Sequence, residues 1–255
     1  MVRFYVDGPP SAPALALSSS LGTTHAMWEP QVAAFAAGHR VIRYDRRGHG
    51  ESALPAAETT IDDLGRDVLD LLDELELERT SFCGLSIGGL VGMWLALNAP
   101  DRLDRLVLAC TRAAFLPASQ WADRVAVVRD AGIASIADAV LDRWFTPAFP
   151  VSHPAELARF REMLVSTQLE GYVACCEVLG AVDFRGRLGE IASPTLVITG
   201  SADPVVPPEA GAELAAAIPG ARHLTIDGAA HIANVEQPRA FGDAVLAFLA
   251  EGADG

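Results

Sequence analysis

The stretch Ser81-Phe82-Cys83-Gly84-Leu85-Ser86-Ile87-Gly88-Gly89 reads G-x-S-x-G at its centre. A short apolar run, Thr80 to Cys83, precedes the pattern, and a helix-compatible run, Leu90 to Asn98, follows it. The serine is therefore predicted at a sharp turn from a strand into a helix, with a positive φ and its hydroxyl clear of the main chain. Gly84 and Gly88 remove side-chain carbons that would clash there. Two interpretations follow: a nucleophilic serine, or a strand–turn–helix junction in which the serine is incidental.

The bulk composition narrows the possible classes of protein. The chain has 255 residues, of which 51% are hydrophobic and 20% charged, enough for one large domain or one domain with an insertion. The net charge of −14 argues against nucleic acid or an anionic membrane as the main partner. No run is long enough for a membrane span, and no signal-peptide core is evident. The four cysteines, Cys83, Cys110, Cys175 and Cys176, form no C-x-x-C pair. Because Cys83 and Cys110 lie in apolar runs, we expect buried free thiols and a cytoplasmic protein.

Apolar and amphipathic segments alternate along most of the chain. The predicted strands lie at residues 4–6, 14–18, 41–44, 80–83, 106–109, 194–199 and 221–226. Predicted helices separate them, and the clearest begins at Thr60, whose side chain can cap it. From Thr111 to about Gly186 only helical segments are evident, which is long for a single crossover. The prediction is an α/β fold, with a mostly parallel central sheet, helices on both faces, a core domain (residues 1–112 and 187–255) and an inserted helical cap, or lid (residues 113–186).

Three chemically distinctive residues follow three different predicted strands. Ser86 follows the fourth strand, Asp203 the sixth and His231 the last. Because ligands of open α/β sheets bind beyond the carboxyl ends of the strands, we expect these side chains to meet. A serine hydroxyl needs an adjacent base, so His231 would take its proton while Asp203 holds the imidazole tautomer. The order serine, acid, histidine is that of α/β-hydrolase triads, and the three residues are predicted to form one.

Other titratable residues fit these roles less well. Asp227 lies too close to His231 in the same loop to orient it easily. His25 follows no strand, and His49 lies in a glycine-rich turn that Asp45 is expected to shape rather than to use for chemistry. The six histidines are scattered with no pair at i, i+4, so no metal site is predicted.

Acyl transfer also requires donors for the negatively charged oxygen of the tetrahedral intermediate. One is predicted to be the amide of Ile87, the residue after the serine. The other should come from the loop after the second strand, Ser19-Ser20-Leu21-Gly22, where we choose the amide of Leu21.

Several segments resemble the 3-oxoadipate enol-lactonases of aromatic catabolism, and the similarity covers nearly the whole chain. The serine motif and its helix, Gly84 to Asn98, are among them, but the triad motifs are shared by the entire superfamily and say little about the substrate. More specific are the loop Ser20-Leu21-Gly22-Thr23 and the segments Arg143-Trp144-Phe145-Thr146-Pro147 and Asn234-Val235-Glu236-Gln237-Pro238. The chain departs from the family near its start, with Gly8-Pro9-Pro10-Ser11 where more strand is expected.

The resemblance implies hydrolysis of a small enol-lactone that bears a carboxylate, giving 3-oxoadipate, with no metal and no organic cofactor. One alternative is another serine hydrolase of the superfamily, such as a carboxylesterase or a C–C bond hydrolase. A second alternative is a ligand-binding protein without activity, which the complete triad disfavours. Dehalogenase chemistry would require an acid where Ser86 stands, whereas a haloperoxidase-like side reaction would use the same triad.

An anionic substrate conflicts with the net charge of −14, and a local cation near the pocket would resolve the conflict. Arg143, beside Trp144 in the insertion, and Arg112, at a strand end, are the candidates, with a surface salt bridge as the alternative for each. Trp144 is either a substrate contact or a core residue of the lid. The expected partner is a small anionic lactone. The apolar helices of the insertion suit a lid, a subunit contact or both, so a homo-oligomer stays open.

Overall fold

The computed structural model describes residues 2–54 and 58–251. Within them one sheet contains β1 (Arg3–Asp7), β2 (Ala14–Ser18), β3 (Arg40–Asp45), β4 (Thr80–Leu85), β5 (Leu103–Ala109), β6 (Thr195–Gly200) and β7 (Arg222–Ile226). The α-helices are α1 (Glu29–Ala36), α2 (Ile61–Glu74), α3 (Ile87–Asn98), α4 (Ser119–Ala131), α5 (Ala137–Trp144), α6 (Phe149–Ser152), α7 (Pro154–Val165), α8 (Leu169–Ala181), α9 (Pro208–Ala217), α10 (Ala233–Glu236) and α11 (Pro238–Ala250). Each predicted strand is present, with small differences at its ends.

The sheet has the strand order β1-β3-β2-β4-β5-β6-β7. β1 pairs antiparallel with β3, and every other neighbouring pair is parallel. All residues of β4 and β6 are buried, so both faces of the sheet are covered there. The predicted α/β class with a mostly parallel sheet is confirmed. Because the inner strands are parallel, the residues that follow them are brought together at one edge of the sheet.

Helix α3 begins at Ile87, the first residue after the serine and earlier than the apolar run suggested. Glycines are poor helix formers, but the first turn has no room for larger residues. A Cβ on Gly88 would lie 2.3 Å from the carbonyl oxygen of Ser18, and a Cβ on Gly89 would lie 2.4 Å from the side chain of Thr111. The two glycines therefore allow α3 to start in direct contact with the neighbouring strand ends.

The helix predicted to begin at Thr60 is α2. The Asp63 amide donates to Thr60 Oγ1 at 3.2 Å, and the Thr60 amide donates to Asp63 Oδ2 at 2.9 Å. This reciprocal pair satisfies two amides that the helix itself cannot satisfy. The buried face of α2, which packs against α3, consists of Leu64, Gly65, Val68, Leu71 and Leu72.

Between β5 and β6 the chain forms α4 to α8, and residues 113–186, all of which the structure describes, contain no strand. We call residues 113–186 the cap. Within it α4 packs against α8 and α5 packs against α7. The two ends of the cap are joined, because the Phe184 amide donates to the Ala113 carbonyl at 2.9 Å. No helix in the described part of the chain is both long and apolar enough to cross a bilayer.

Candidate active site

Ser86 lies at the turn between β4 and α3, with φ 60° and ψ −119°. A positive φ is costly for a residue with a side chain, and close contacts on both sides maintain it. The Ser86 amide donates to the Ala109 carbonyl at 2.9 Å, and Thr111 Oγ1 donates to the Ser86 carbonyl at 2.7 Å. A Cβ on Gly84 would lie 2.1 Å from the Gly88 carbonyl oxygen, so this position must be glycine. The strained turn predicted from G-x-S-x-G is present.

Asp203 and His231 form a buried pair at the ends of β6 and β7. His231 Nδ1 donates to Asp203 Oδ2 at 2.9 Å. The other carboxylate oxygen, Oδ1, accepts from the amides of Val205 at 2.8 Å and Val206 at 3.0 Å. Because an ionised carboxylate can only accept, the imidazole proton is on Nδ1, and Nε2 is left as the basic nitrogen. His231 and Ser86 line the same cavity.

The two predicted oxyanion donors differ in how the fold presents them. Ile87 is the first residue of α3, so its amide has no carbonyl partner within the helix. The amide of Leu21 belongs to the peptide whose carbonyl is that of Ser20. This carbonyl accepts from Arg46 Nη1 at 2.9 Å and from Thr23 Oγ1 at 2.8 Å. Because a trans peptide directs its N–H opposite to its carbonyl, the Leu21 N–H points away from Arg46.

Two buried residues behind this loop were given no such role from the sequence. Arg46 donates to the carbonyls of Ser19 and Ser20. His49 Nε2 accepts from the Gly22 amide at 3.2 Å, and its Nδ1 lies 3.3 Å from the Arg47 carbonyl. Burial, followed by the charge of Arg46, lowers the pKa of His49 to about 3, so His49 is neutral. Both side chains hold the predicted oxyanion loop in place. They reach it because β3, which they follow, lies beside β2 in the sheet.

The turn around Asp45 has the structural role expected of it. Asp45 Oδ1 accepts from the His25 amide at 2.7 Å, and Oδ2 accepts from the Glu51 amide at 3.3 Å. Burial alone would raise the pKa of Asp45, but the hydrogen bonds and charge of His25 outweigh it and the pKa is lowered. The ring of His25 stacks on Tyr5 with centroids 3.6 Å apart. This pair does not line the cavity that holds Ser86.

The cavity at Ser86 has a volume of about 360 Å³. Most of the predicted site residues line it: Ser86, His231, Leu21, Arg112, Arg143 and Trp144. Asp203 and Ile87, the other two, do not line it. Sequence reasoning missed several of the cap residues that complete the wall: Gln120, Trp121, Arg124, Val140 and Tyr172.

The three predicted substrate-binding residues have different surroundings. Arg112 Nη2 donates to the Val205 carbonyl at 2.8 Å, next to the amide that binds Asp203. Arg143 has exposed surface, but its charged group is partly buried. This partial burial, followed by the charge of Arg124, lowers the pKa of Arg143. Trp144 is buried and makes an edge-to-face contact with Phe160, with ring centroids 6.2 Å apart.

The two family-specific segments at residues 143–147 and 234–238 contact each other. Glu236 Oε1 accepts from the Thr146 amide at 2.9 Å, and Glu236 Oε2 accepts from the Ala230 amide at 2.8 Å. The Ile232 amide donates to the Trp144 carbonyl at 3.0 Å. The end of α5 in the cap is thereby attached to the loop that carries the candidate base.

Metal and thiol groups add nothing to this cavity. Among residues 2–54 and 58–251, no group of three or more His, Cys, Asp or Glu side chains is placed to hold a metal ion. The four cysteines are buried and free.

Comparison with known proteins gives the family. The model of the alpha/beta hydrolase family matches residues 17–244. The chain is 42% identical to 3-oxoadipate enol-lactonase 2 of Acinetobacter baylyi, over 97% of this chain and 92% of that one. The crystal structure of the enol-lactonase from Burkholderia xenovorans LB400 superimposes with a TM-score of 0.96 at 44% identity, covering 98% of this chain and 96% of that one. A thermophilic esterase from Thermogutta terrifontis superimposes with a TM-score of 0.92 at 28% identity, covering 97% and 92%. The protein therefore belongs to the alpha/beta hydrolase family.

Proposed function

We propose that the protein opens 3-oxoadipate enol-lactone, a small lactone that carries a carboxylate, to 3-oxoadipate through an acyl-enzyme. The observation that carries this proposal is the presence of Ser86, His231 and three arginines around one small cavity. Such a cavity combines a nucleophile and its base with positive charge for an anionic ester. Relatives named as enol-lactonases, at 42% and 44% identity, support the same substrate.

In the first half of the reaction, Ser86 Oγ attacks the lactone carbonyl carbon while His231 Nε2 takes the hydroxyl proton. The Nδ1 proton stays on His231 and is donated to Asp203, whose carboxylate stabilises the imidazolium. The amides of Leu21 and Ile87 donate to the oxyanion, and such a donor contributes about 3 kcal/mol to the stability of the transition state. When the intermediate collapses, the ring C–O bond breaks and His231 gives the proton to the enol oxygen, which stays attached to the acyl group.

In the second half, His231 removes a proton from water, which attacks the acyl-enzyme ester. The bond to Ser86 Oγ breaks, and His231 returns the proton to the serine. The free enol then tautomerises to the ketone. One water is consumed, no electron is transferred, and this chemistry calls for no metal or organic cofactor.

For substrate binding, Trp144 is assigned to the wall beside the lactone ring and Arg143 to the substrate carboxylate. Arg112, the other candidate from the sequence, lines the same cavity, but its Nη2 donates to the Val205 carbonyl. The cap is assigned as a lid domain over the core formed by residues 1–112 and 187–255. A small anionic molecule is thus the partner, and the buried free thiols fit a reducing cytoplasm.

The test is turnover of the enol-lactone by the wild type, by Ser86→Ala and by the control Ser135→Ala, an exposed serine of the cap. We expect Ser86→Ala to lower kcat by at least about 10⁴-fold, because no other group can form the acyl-enzyme. Ser135→Ala should match the wild type. An organophosphonate probe should label the wild type and leave Ser86→Ala unlabelled.

The alternatives give different outcomes in the same assay. A carboxylesterase would favour simple esters over the enol-lactone by kcat/KM, and the Thermogutta relative is named an esterase. A C–C bond hydrolase would favour diketones. A folded wild-type protein that takes no organophosphonate label and turns over no substrate would contradict the whole enzymatic proposal.

A further inference from the structure

The cap contributes two arginines to the cavity, Arg124 of α4 and Arg143 of α5. The other four arginines of the cap all form ion pairs: Arg129 with Glu170, Arg159 with Glu156, Arg161 with Asp138 and Arg185 with Asp183. Neither Arg124 nor Arg143 has a carboxylate partner among the described residues. Within the cap, the two arginines that face the cavity are therefore the two that have no carboxylate partner among the described residues.

Neighbouring groups do not supply the missing negative charge. Partial burial, followed by the like charge of Arg124, lowers the pKa of Arg143. Tyr172 lies close to both, but burial raises its pKa to about 12 and keeps its hydroxyl neutral. Burial likewise raises the pKa of the Cys176 thiol near Arg124 to about 12. An anion bound between the two arginines would relieve the repulsion and satisfy their N–H donors.

Arg124 is positioned by a cation–π contact rather than by an ion pair. Its guanidinium carbon lies 5.0 Å from the centroid of the Trp121 ring, and the Trp121 indole N–H donates to the Phe115 carbonyl at 2.9 Å. A guanidinium over an aromatic ring contacts it through a cation–π interaction and still has N–H donors for a carboxylate. Trp121 and Phe115 also line the cavity.

We propose that Arg124 and Arg143 form one subsite of the cap for the carboxylate of the substrate, with the neutral Tyr172 hydroxyl beside them. This proposal rests on the proposed function and deepens it by adding Arg124 to the site. The substrates that such a subsite would select are small esters or lactones whose acyl part ends in a carboxylate. Arg112 has a different main role. Its Nη2 donates to the Val205 carbonyl, so it is a positioning residue for the loop that holds Asp203.

The test uses two esters that differ only in charge, mono-4-nitrophenyl adipate and its methyl ester. The variants are Arg124→Met and Arg143→Met, which keep an unbranched stem and remove the charge. Arg129→Met is the matched control, because it removes the same charge from α4 at an exposed ion pair. We expect each cavity variant to raise KM for the anionic ester by about 10-fold or more, as for loss of a charged hydrogen bond, with little change for the methyl ester. Arg129→Met should stay within about 2-fold for both esters.

Three outcomes would overturn the subsite: equal effects on the charged and neutral esters, reproduction of the effect by Arg129→Met, or no effect of Arg124→Met. The ester pair also separates this proposal from the proposed function, since it requires only serine hydrolase activity. Charge-selective loss in an enzyme that does not turn over the enol-lactone supports the subsite and overturns the choice of substrate. Enol-lactone turnover with a KM that does not depend on Arg124 supports the choice of substrate and overturns the subsite.

Discussion

The two walls of the cavity are built in opposite ways. On the core side the polar groups behind the wall already have protein partners: Asp203 accepts from His231 and two amides, and Arg46 donates to the carbonyls of the oxyanion loop. On the cap wall Arg124 and Arg143 form no ion pair within the described chain. A preorganised core wall lowers the reorganisation required in the transition state. On the cap side, the charges and N–H donors of the two arginines are available to a ligand. Chemistry and substrate recognition are therefore assigned to different parts of the chain.

The largest effect should come from the pair on the core wall. In Asp203→Asn one amide oxygen can still accept from Val205 and Val206, but the NH₂ group then faces His231 Nδ1. The imidazole would have to accept there and carry its proton on Nε2, so it could no longer act as the base. We expect kcat to fall by about 10⁴-fold with KM nearly unchanged, measured with the enol-lactone.

Asp227→Asn is the matched control for that change. Asp227 is exposed, lies in the loop of His231 and accepts from Ser201 Oγ at 3.2 Å. Its substitution should change kcat by less than about 3-fold, as for most exposed sites. If Asp227→Asn were the more damaging variant, the acid of the pair would be misassigned.

The next effect concerns pH and the buried His49. Its pKa is about 3 in the folded protein and about 6.5 when unfolded, so between these values the unfolded chain binds more protons. The contribution of His49 to stability is therefore complete above pH 6.5 and is lost as the pH falls toward 3. We expect a loss of about 3 kcal/mol between pH 6.5 and 4 from this group.

Urea unfolding of the wild type and His49→Gln across that range measures the contribution. Glutamine can still accept from the Gly22 amide and donate to the Arg47 carbonyl, but it does not titrate. As the pH falls, the unfolding free energy of the wild type should decrease more than that of His49→Gln. Parallel curves would show that His49 is not held neutral by burial.

The smallest effect should distinguish two adjacent arginines. Arg46→Ala removes the donors to the Ser19 and Ser20 carbonyls and releases the peptide that carries the Leu21 amide. We expect kcat to fall by about 10- to 100-fold with little change in KM, which is less than the loss of an oxyanion donor itself. Arg46→Lys should restore part of kcat because lysine retains the charge and a donor.

Arg47→Ala is the control for this prediction. Arg47 forms a two-bond ion pair with Asp67 at 2.7 and 2.6 Å, and its Nη2 also donates to the Asp63 carbonyl of α2. It should lower the melting temperature and leave kcat unchanged. If Arg46→Ala and Arg47→Ala lowered kcat equally, we would conclude that both residues have only a structural role.

The parts of the site that could be predicted share one property. Ser86, Asp203 and His231 each lie in the turn or loop that follows a strand, after β4, β6 and β7, and a parallel sheet brings all such positions to one edge. Arg124 lies in the middle of α4, among alternating charged and apolar residues. Which side of that helix faces the cavity depends on how α4 packs against α8, and the local pattern does not encode this.

Arg46 and Arg47 show the same limit at the scale of one residue. They are chemically identical neighbours after β3, yet Arg46 is directed to the oxyanion loop after β2 and Arg47 to Asp67 of α2. The order of the strands along the chain does not reveal that β3 lies beside β2 and that β1 lies at the sheet edge. The link between Glu236 and Thr146 was hidden for the same reason, although both segments had been recognised as distinctive.

The sequence by itself determined the fold class, the strained turn at Ser86 and the placement of Asp203 and His231 after strands of the same sheet. These follow from local rules: the period of apolar residues, the need for glycine where no Cβ fits, and the position of polar residues at strand ends. Only the tertiary structure decided which charges are balanced. Whether an arginine meets a carboxylate, a carbonyl or an open cavity depends on contacts between segments far apart in the chain, and these form only when the cap and the sheet have packed.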